Sequence, residues 1–303
     1  MKIGIVGMGW VGSSVAVSTL HSGLPTELLV SDIRPQLAEG EAMDLAHGAA
    51  FYPSARVRAA EVEEMVDADA VVIAAGRGGS GGETRLELLR DNAGIIETIA
   101  AKLRHLRGLL VVVSNPVDVL TSVAQRASGL DPARVIGTGT MLDTARLRQV
   151  LGQRLHLEPR SIHAQVVGEH GDSEVVLWSG AQIGGLPLRQ WPGWKRDDEP
   201  ELSTVVRRAA YEIISRKGAT NHAIGLVTAS LLRWSLRGER RVLTVSRVQD
   251  GALGLSGVSL SLPAVVGRDG ATQVLEPAMD DHERDAVLHS AELLRSAQAS
   301  IGF

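Results

Sequence analysis

Short β-branched and aliphatic runs alternate with amphipathic stretches over the first half of the chain. Lys2 to Val6, Glu27 to Ser31, Ala70 to Ala74, Leu109 to Val113 and Val135 to Ile136 read as strands. Between them, Trp10 to Ser22, Pro35 to Ala50, Leu86 to Leu106 and Val117 to Ser128 carry the helical period. Strand and helix in strict alternation predict a parallel sheet with right-handed crossovers and helices on both faces. From about Thr140 the pattern changes. A helix from Leu142 to Leu155 leads into the apolar run Ile162 to Val167, which reads as one strand. Two long helices follow, Glu201 to Lys217 and His222 to Arg237, then strands Arg241 to Val248 and Gly257 to Val266, and a last helix from Asp280 to Gln298. This order suits an α+β lobe packed on the first. The expectation is an α/β fold, with a doubly wound lobe over residues 1–139 and a second, catalytic lobe over 140–303.

Composition narrows the class. The chain of 303 residues is long enough for two packed lobes with a large buried core. Its 44% hydrophobic and 22% charged residues are ordinary for a soluble protein. The 31 Lys+Arg against 35 Asp+Glu give a net charge of −4, which argues against a nucleic-acid or acidic-membrane partner. No apolar run approaches the ~20 residues of a membrane span, and a strand rather than a signal peptide follows Met1. There is no cysteine, so disulfides and thiolate metal sites are excluded, and no metal site is expected. A cytoplasmic enzyme is the expectation. The segment Trp191 to Asp198 reads as a surface loop whose tryptophans pack beneath it or form a contact site.

Candidate chemistry begins directly after the first strand. Gly7-Met8-Gly9-Trp10-Val11-Gly12 opens the first helix. Glycines there permit a tight turn and close approach of a pyrophosphate, and the helix N-terminus supplies donors. Asp32 ends the second strand twenty residues after Gly12, where a carboxylate accepts the ribose hydroxyls of an adenosine and repels a 2′-phosphate. This is a Rossmann fingerprint, and NAD is favoured over NADP. Arg34, nearby, reads as solvated. The plainer alternative is a structural glycine turn with Asp32 capping a helix.

A second constellation lies in the later half. Gly168-Glu169-His170-Gly171-Asp172-Ser173 follows the predicted strand, and its glycines leave the His170 ring accessible for proton exchange with an alcohol. A lone histidine there also fits a structural role. Asp143 and Arg146 are spaced i,i+3 and share a helix face. Either they form an ordinary ion pair, or Asp143 orients His170 while Arg146 forks a substrate carboxylate. Residues Gly76 to Arg85 include five glycines and read as a lid that brings Arg85 over a reacting carbonyl. Asn115, in Ser114-Asn115-Pro116-Val117-Asp118, stands at the carboxyl edge of the sheet, within reach of a nicotinamide or a substrate oxygen.

With these motifs together, and with Lys217-Gly218-Ala219-Thr220 and Val258 to Pro263, the chain resembles the L-lactate/malate dehydrogenase family over nearly its whole length, its bacterial L-lactate dehydrogenases above all. The resemblance implies hydride transfer between NAD and a small 2-oxo or 2-hydroxy acid. It implies His170 as acid/base, Asp143 as its partner, Arg146 as carboxylate anchor, Arg85 as polarising lid residue and Thr220 as pocket wall. The implied cofactor contacts are Gly7, Gly9, Trp10, Val11, Gly12, Asp32, Ala75, Gly76 and Asn115. The chain departs from the pattern at Gly79, six positions before Arg85, where lactate enzymes carry Gln and malate enzymes Arg. The space left there suits 2-oxo acids larger than pyruvate, and Arg77 compensates for a missing guanidinium only if the lid refolds. Asn221-His222 replaces the usual pair after Thr220.

Arg148 points roughly 200° away from Arg146 around the helix. In bacterial members of the family, cations at the positions of Arg148 and His163 bind fructose 1,6-bisphosphate at a subunit interface; the alternative is two surface cations. A homo-oligomer, tetramer or dimer, is expected from the apolar face of residues Pro35 to Ala50. Three activities compete: L-lactate dehydrogenase first, a dehydrogenase of longer L-2-hydroxy acids such as 2-hydroxyisocaproate second, malate dehydrogenase third. A nucleotide-binding sensor without turnover is the rival from another class.

Overall fold

The computed structural model describes residues 1–79 and 84–302. The first half is built from β1 (Lys2–Val6), α1 (Trp10–His21), β2 (Glu27–Ser31), α2 (Pro35–His47), β3 (Arg56–Ala59), β4 (Ala70–Ile73), α3 (Arg85–Lys102), β5 (Leu109–Val112), α4 (Val117–Ser128) and β6 (Val135–Gly137). These strands are all parallel and lie in the order β3-β2-β1-β4-β5-β6. That is the Rossmann order, with its switch point between β1 and β4. The two-residue period of each strand divides the core. Ile3, Ile5, Val30 and Val72 pack with Val15, Ala16 and Leu20 of α1. Val6, Leu29, Val71 and Ile73 face Ile96 and Ala100 of α3 and Leu120 of α4. Helices therefore shield both faces, and the inner strands carry apolar residues at nearly every position.

The second half holds α5 (Met141–Leu155), β7 (Ile162–His163), β8 (Val166–Val167), β9 (Val175–Val176), β10 (Gln182–Ile183), β11 (Leu186–Pro187), α6 (Glu199–Lys217), α7 (His222–Leu236), β12 (Arg241–Asp250), β13 (Ser256–Gly267), β14 (Gly270–Val274) and α8 (Asp281–Ser300). This half is not simply packed on the first. The antiparallel strands β12, β13 and β14 extend the parallel sheet, and β12 meets β6 at Ser246 and Gly137, giving nine strands among the described residues. Glycine makes this junction possible. A Cβ on Gly137 would stand 3.0 Å from the Ser246 Cβ, and one on Gly139 2.6 Å from the Ser246 amide nitrogen.

Other boundaries also differ from the sequence reading. The run 162–167 is two strands in different sheets, β7 pairing with β10 and β8 with β9. The Ala164 carbonyl between them is taken by Arg148 Nε at 3.0 Å. α2 stops at His47, because Gly48 at its end turns the chain. α3 starts one residue early, at Arg85, where Thr84 and Glu87 cap each other's main chain. β3 escaped notice because Arg56 and Arg58 break its apolar pattern. The tryptophans of the 191–198 loop pack beneath it: Trp194 tilts against Trp178 at 5.8 Å between ring centroids and donates to Glu199 at 3.2 Å.

The turn after β1 tolerates no added carbon at its last glycine, since a Cβ on Gly12 would fall inside the Gly7 carbonyl oxygen. Gly12→Ala is expected to lower stability by about 1–3 kcal/mol, read as an earlier midpoint in urea. An unchanged midpoint would show that the turn can shift to make room.

Candidate active site

A cleft opens where β1 feeds α1. Gly7 takes φ +97°, and its amide donates to the Ser31 carbonyl at 2.8 Å, tying the turn to the end of β2. A Cβ on Gly7 would stand 2.5 Å from the Ala75 nitrogen, so the β1 and β4 ends touch here through glycine alone. Asp32 then locks the turn: its Oδ2 accepts the Met8 amide at 2.9 Å, and its Oδ1 accepts the Arg34 amide at 3.1 Å. Gly9 precedes α1 with no side-chain cap, and a Cβ there would meet nothing within 4 Å. The amides at the start of this helix thus face open space.

That space is a cavity of about 1000 Å³ lined by Gly7, Gly9, Asp32, Ala75 and Gly76, with Ile95 and Ile99 as apolar wall. A diphosphate over the helix N-terminus, a ribose at Asp32 and an adenine on the apolar wall fit this set. The side chains of this turn lie apart from the cleft itself: Trp10 is 62% exposed and lines a neighbouring cavity between α1, α2 and α7, Val11 lies against the α1 core, and Gly12 lies on Gly7. Contact of Trp10 and Val11 with a diphosphate would therefore be through their main-chain amides. Arg34 is 69% exposed, with its Nε 3.3 Å from Asp32.

The acid–base groups meet at the carboxyl ends of the same sheet. Asp143 lies in the first turn of α5 and is 2% exposed. Its Oδ2 lies 2.6 Å from His170 Nδ1, and its Oδ1 accepts from Arg146 at 2.8 Å. The ion-pair and catalytic readings of Asp143 are therefore compatible, because each partner uses its own oxygen. His170 is 23% exposed, and its Nε2 is the ring nitrogen left for a ligand. Burial alone would make the imidazole less basic, but the charge and hydrogen bond of Asp143, with the charge of Asp118, raise its pKa to about 9. Burial works against Asp143 as well, yet His170 and Arg146 hold its pKa below the usual carboxylate range.

Each residue of the 168–170 segment is held by a different element. Gly168 exchanges main-chain hydrogen bonds with Ser261 of β13, both at 2.9 Å. The Glu169 amide donates to Ser290 of α8 at 2.8 Å, and the His170 amide donates to Asp118 of α4 at 2.7 Å. Thr140 and Thr144 bind the Val166 main chain to α5, at 2.6 and 3.0 Å. The imidazole and the carboxylate that orients it thus belong to one rigid frame.

The remaining predicted residues surround this frame less tightly. Asn115 is exposed at the end of β5, its Oδ1 accepting the Val117 amide at 3.3 Å. Arg85 is exposed at the first position of α3, and its charge acts on Tyr211 of α6, whose hydroxyl donates to Asp172 at 3.0 Å. Of the lid, Ser80 to Glu83 lie outside the described residues, and Gly79 stands exposed at their edge. Arg77 is turned away from any compensating role: its Nε donates to Asp91 at 2.9 Å and its amide to Asn92 at 2.9 Å. Thr220 is half-buried between α6 and α7, beside Asn221, which donates to Ser14 of α1 at 2.8 Å. Arg148 is not a plain surface cation. Burial lowers its pKa, and it binds the carbonyl next to exposed His163.

Sequence reasoning passed over Asp118 and Glu174. Both are buried, and each leaves one carboxylate oxygen without a partner among the described residues. Asp118 lies in a helix first turn and Glu174 in a loop just before β9, places where an acid is ordinary. Only their non-local surroundings mark them.

A dinucleotide cleft and a buried Asp–His–Arg group carried by one sheet define an oxidoreductase class of fold and site. The family models agree: the NAD binding domain of lactate/malate dehydrogenase matches residues 1–137, and the alpha/beta C-terminal domain of the same family matches residues 140–301. The chain is 43% identical to the L-lactate dehydrogenase of Thermus aquaticus over 310 aligned positions, covering 100% of both. It is 42% identical to L-lactate dehydrogenase 2 of Enterococcus faecalis, covering 99% of this chain and 97% of that one. A ligand-bound crystal structure of the minor L-lactate dehydrogenase from Enterococcus mundtii superposes with a TM-score of 0.96 at 36% identity, covering 99% of this chain and 98% of that one. A lactate dehydrogenase from a Medee basin deep-sea metagenome library also reaches 0.96, at 40% identity, covering 100% and 99%. The protein belongs to the lactate/malate dehydrogenase family, and NAD is its cofactor.

The open space over Gly9 separates binding from folding. Gly9→Ala is expected to leave the unfolding midpoint unchanged while weakening NADH about tenfold, or ~1.4 kcal/mol, in a fluorescence titration. Wild-type affinity in this variant would place the dinucleotide elsewhere.

Proposed function

We propose that this protein is an NAD-dependent L-lactate dehydrogenase interconverting L-lactate and pyruvate, with residues 1–139 as coenzyme lobe and 140–303 as substrate lobe. One observation carries the reading: Asp143, almost wholly buried, binds His170 through one oxygen and Arg146 through the other, on the helix that follows the last parallel strand of the sheet bearing the dinucleotide cleft. The names and full-length similarity of the relatives support lactate as the substrate. They lend nothing to the longer-chain or malate alternatives.

Bound NAD supplies the acceptor, and in its reduced form the donor, of the hydride exchanged with C2 of the substrate. Arg146 gives one amine to Asp143, and the rest of its fork grips the substrate carboxylate. His170, oriented through Nδ1, moves a proton between Nε2 and the C2 oxygen. Arg85, riding at the base of the lid, comes over the same oxygen on closure and expels water. Asn115 meets the nicotinamide or the substrate oxygen from the end of β5, and Gly79 and Thr220 wall the pocket. Among the described residues no helix is long and apolar enough to cross a membrane, and we assign the enzyme to the cytoplasm.

The pH dependence follows from His170. Its folded pKa of about 9 lies above the ordinary 6.5, so the protonated form needed for pyruvate reduction persists through neutral pH and is lost as pH rises through about 9. kcat/KM for pyruvate with NADH should be flat near neutrality and fall about tenfold per unit above that point. His170→Asn should keep NADH binding and lose about 10²–10⁴ in kcat. An unimpaired variant, or oxaloacetate preferred over pyruvate by the wild type, would overturn the assignment.

The assembly reading is a homo-oligomer, tetramer or dimer. Trp10 on α1, Met43 on α2 and Leu226 on α7 are 62%, 61% and 63% exposed, an apolar set suited to a second subunit. Arg148 and His163, brought to neighbouring positions by the Ala164 carbonyl, are the proposed fructose 1,6-bisphosphate site. Adding the sugar bisphosphate at sub-saturating pyruvate should lower the apparent KM at least about fivefold, and Arg148→Gln should abolish that response. A wild-type KM indifferent to the effector would leave Arg148 a structural residue only.

A further inference from the structure

More acidic groups stand around His170 than orientation of its ring requires. Asp143 and Arg146 face it from α5 and Asp118 from α4. Glu169 and Glu174 of its own loop and Arg207 of α6 complete the charged surroundings. Asp118 is the group whose geometry asks for a purpose. It is 2% exposed, the second residue of α4, three positions after Asn115. An acid at that place normally turns to its own helix's unpaired amides. Asp118 instead reaches across to the His170 amide, at 2.7 Å. Its other oxygen, Oδ1, is buried with no hydrogen-bond partner among the described residues.

Burying a carboxylate with half its acceptor capacity unused is destabilising. An asparagine would accept the same amide at lower desolvation cost. What the carboxylate adds is its charge. We propose that Asp118 is a positioning residue for the proton transfer: it anchors the His170 main chain to the element that carries Asn115, and its negative charge keeps the proton on the imidazole. This deepens the dehydrogenase reading and rests on it. The electrostatics run in the same sense. Burial raises the Asp118 pKa to about 6, against the pull of the His170 amide and charge, so it is ionised at neutral pH. Its charge in turn is one of the causes that lift His170 to about 9.

The test is the pH profile of pyruvate reduction by NADH in the full-length Asp118→Asn enzyme. Asparagine retains an acceptor for the His170 amide and removes the charge. The alkaline limb should move down by about one pH unit, with KM for NADH unchanged. Asp118→Ala, which also removes the acceptor, should lower kcat at every pH in addition. A folded, active Asp118→Asn enzyme with its limb at the wild-type position would overturn the proposal, since a merely structural role changes rate or stability without moving that limb. Should Asp118→Asn fail to fold, Asp118→Ser decides. Its hydroxyl oxygen can still accept a hydrogen bond and carries no charge, so the limb should still move down, and an unmoved limb again overturns the proposal. A wild-type enzyme that reduces no 2-oxo acid would defeat the dehydrogenase reading itself, whereas an active wild type with unmoved variants defeats only the role of Asp118.

Discussion

A charged carboxylate withdrawn from water is costly without charged or hydrogen-bonding partners, and Asp143, which has them on both oxygens, organises the whole site around itself. It obtains His170 on one side and Arg146 on the other. Arg146 is supplied by helix geometry, one turn along α5. His170 has to be delivered from a loop 27 residues away, which calls for threonine hydroxyls on α5, a β13 main chain and an α8 serine. Much of the polar core of this half therefore follows from one buried acid. With either partner removed, a charge would remain in a site that cannot solvate it.

The continuous sheet explains how such a frame coexists with a coenzyme cleft. A parallel sheet ends in a row of loops on which ligands settle. Here the row is closed on one side by β12, joined to β6 at Gly137. α5 leaves that junction directly, through Gly139, whose φ of +48° and closeness to Ser246 both exclude a side chain. The acid that orients the imidazole is thus fixed relative to β6, and the coenzyme cleft is fixed relative to β1, four strands of one hydrogen-bonded sheet away from β12. Relative placement of the two halves needs no flexible hinge between them.

Charge balance gives the site a further logic. His170 and Arg146 contribute two cations, against the carboxylates of Asp143 and Asp118. Glu174 would add a third, but burial and the charge of Asp143 raise its pKa to about 8, so it is largely neutral at physiological pH. The protein interior near His170 is then close to neutral before a substrate enters. An entering monocarboxylate would make a net anionic site, a charge that Arg85 offsets in the proposed function. Arg77 is not available to a second substrate carboxylate in this arrangement, because it is committed to Asp91.

The alternation of strands and helices, the glycine turn, Asp32, and the pairing of Asp143 with Arg146 were all determined locally, and they could be read from the chain because period, turn chemistry and i,i+3 spacing act over a few residues. The meeting of His170 with Asp143 was one of two alternatives left open by the residues, and it was the resemblance of whole motifs, not spacing, that favoured it. Tertiary structure alone decided the rest: that β12 would join the parallel sheet, that Ile162 to Val167 would split around the Ala164 carbonyl that Arg148 claims, and that Asp118 would bond to the His170 amide. Each depends on a partner far along the chain. Long-range contacts are set by how whole faces pack, and no local pattern encodes which distant atom a carbonyl or carboxylate will meet.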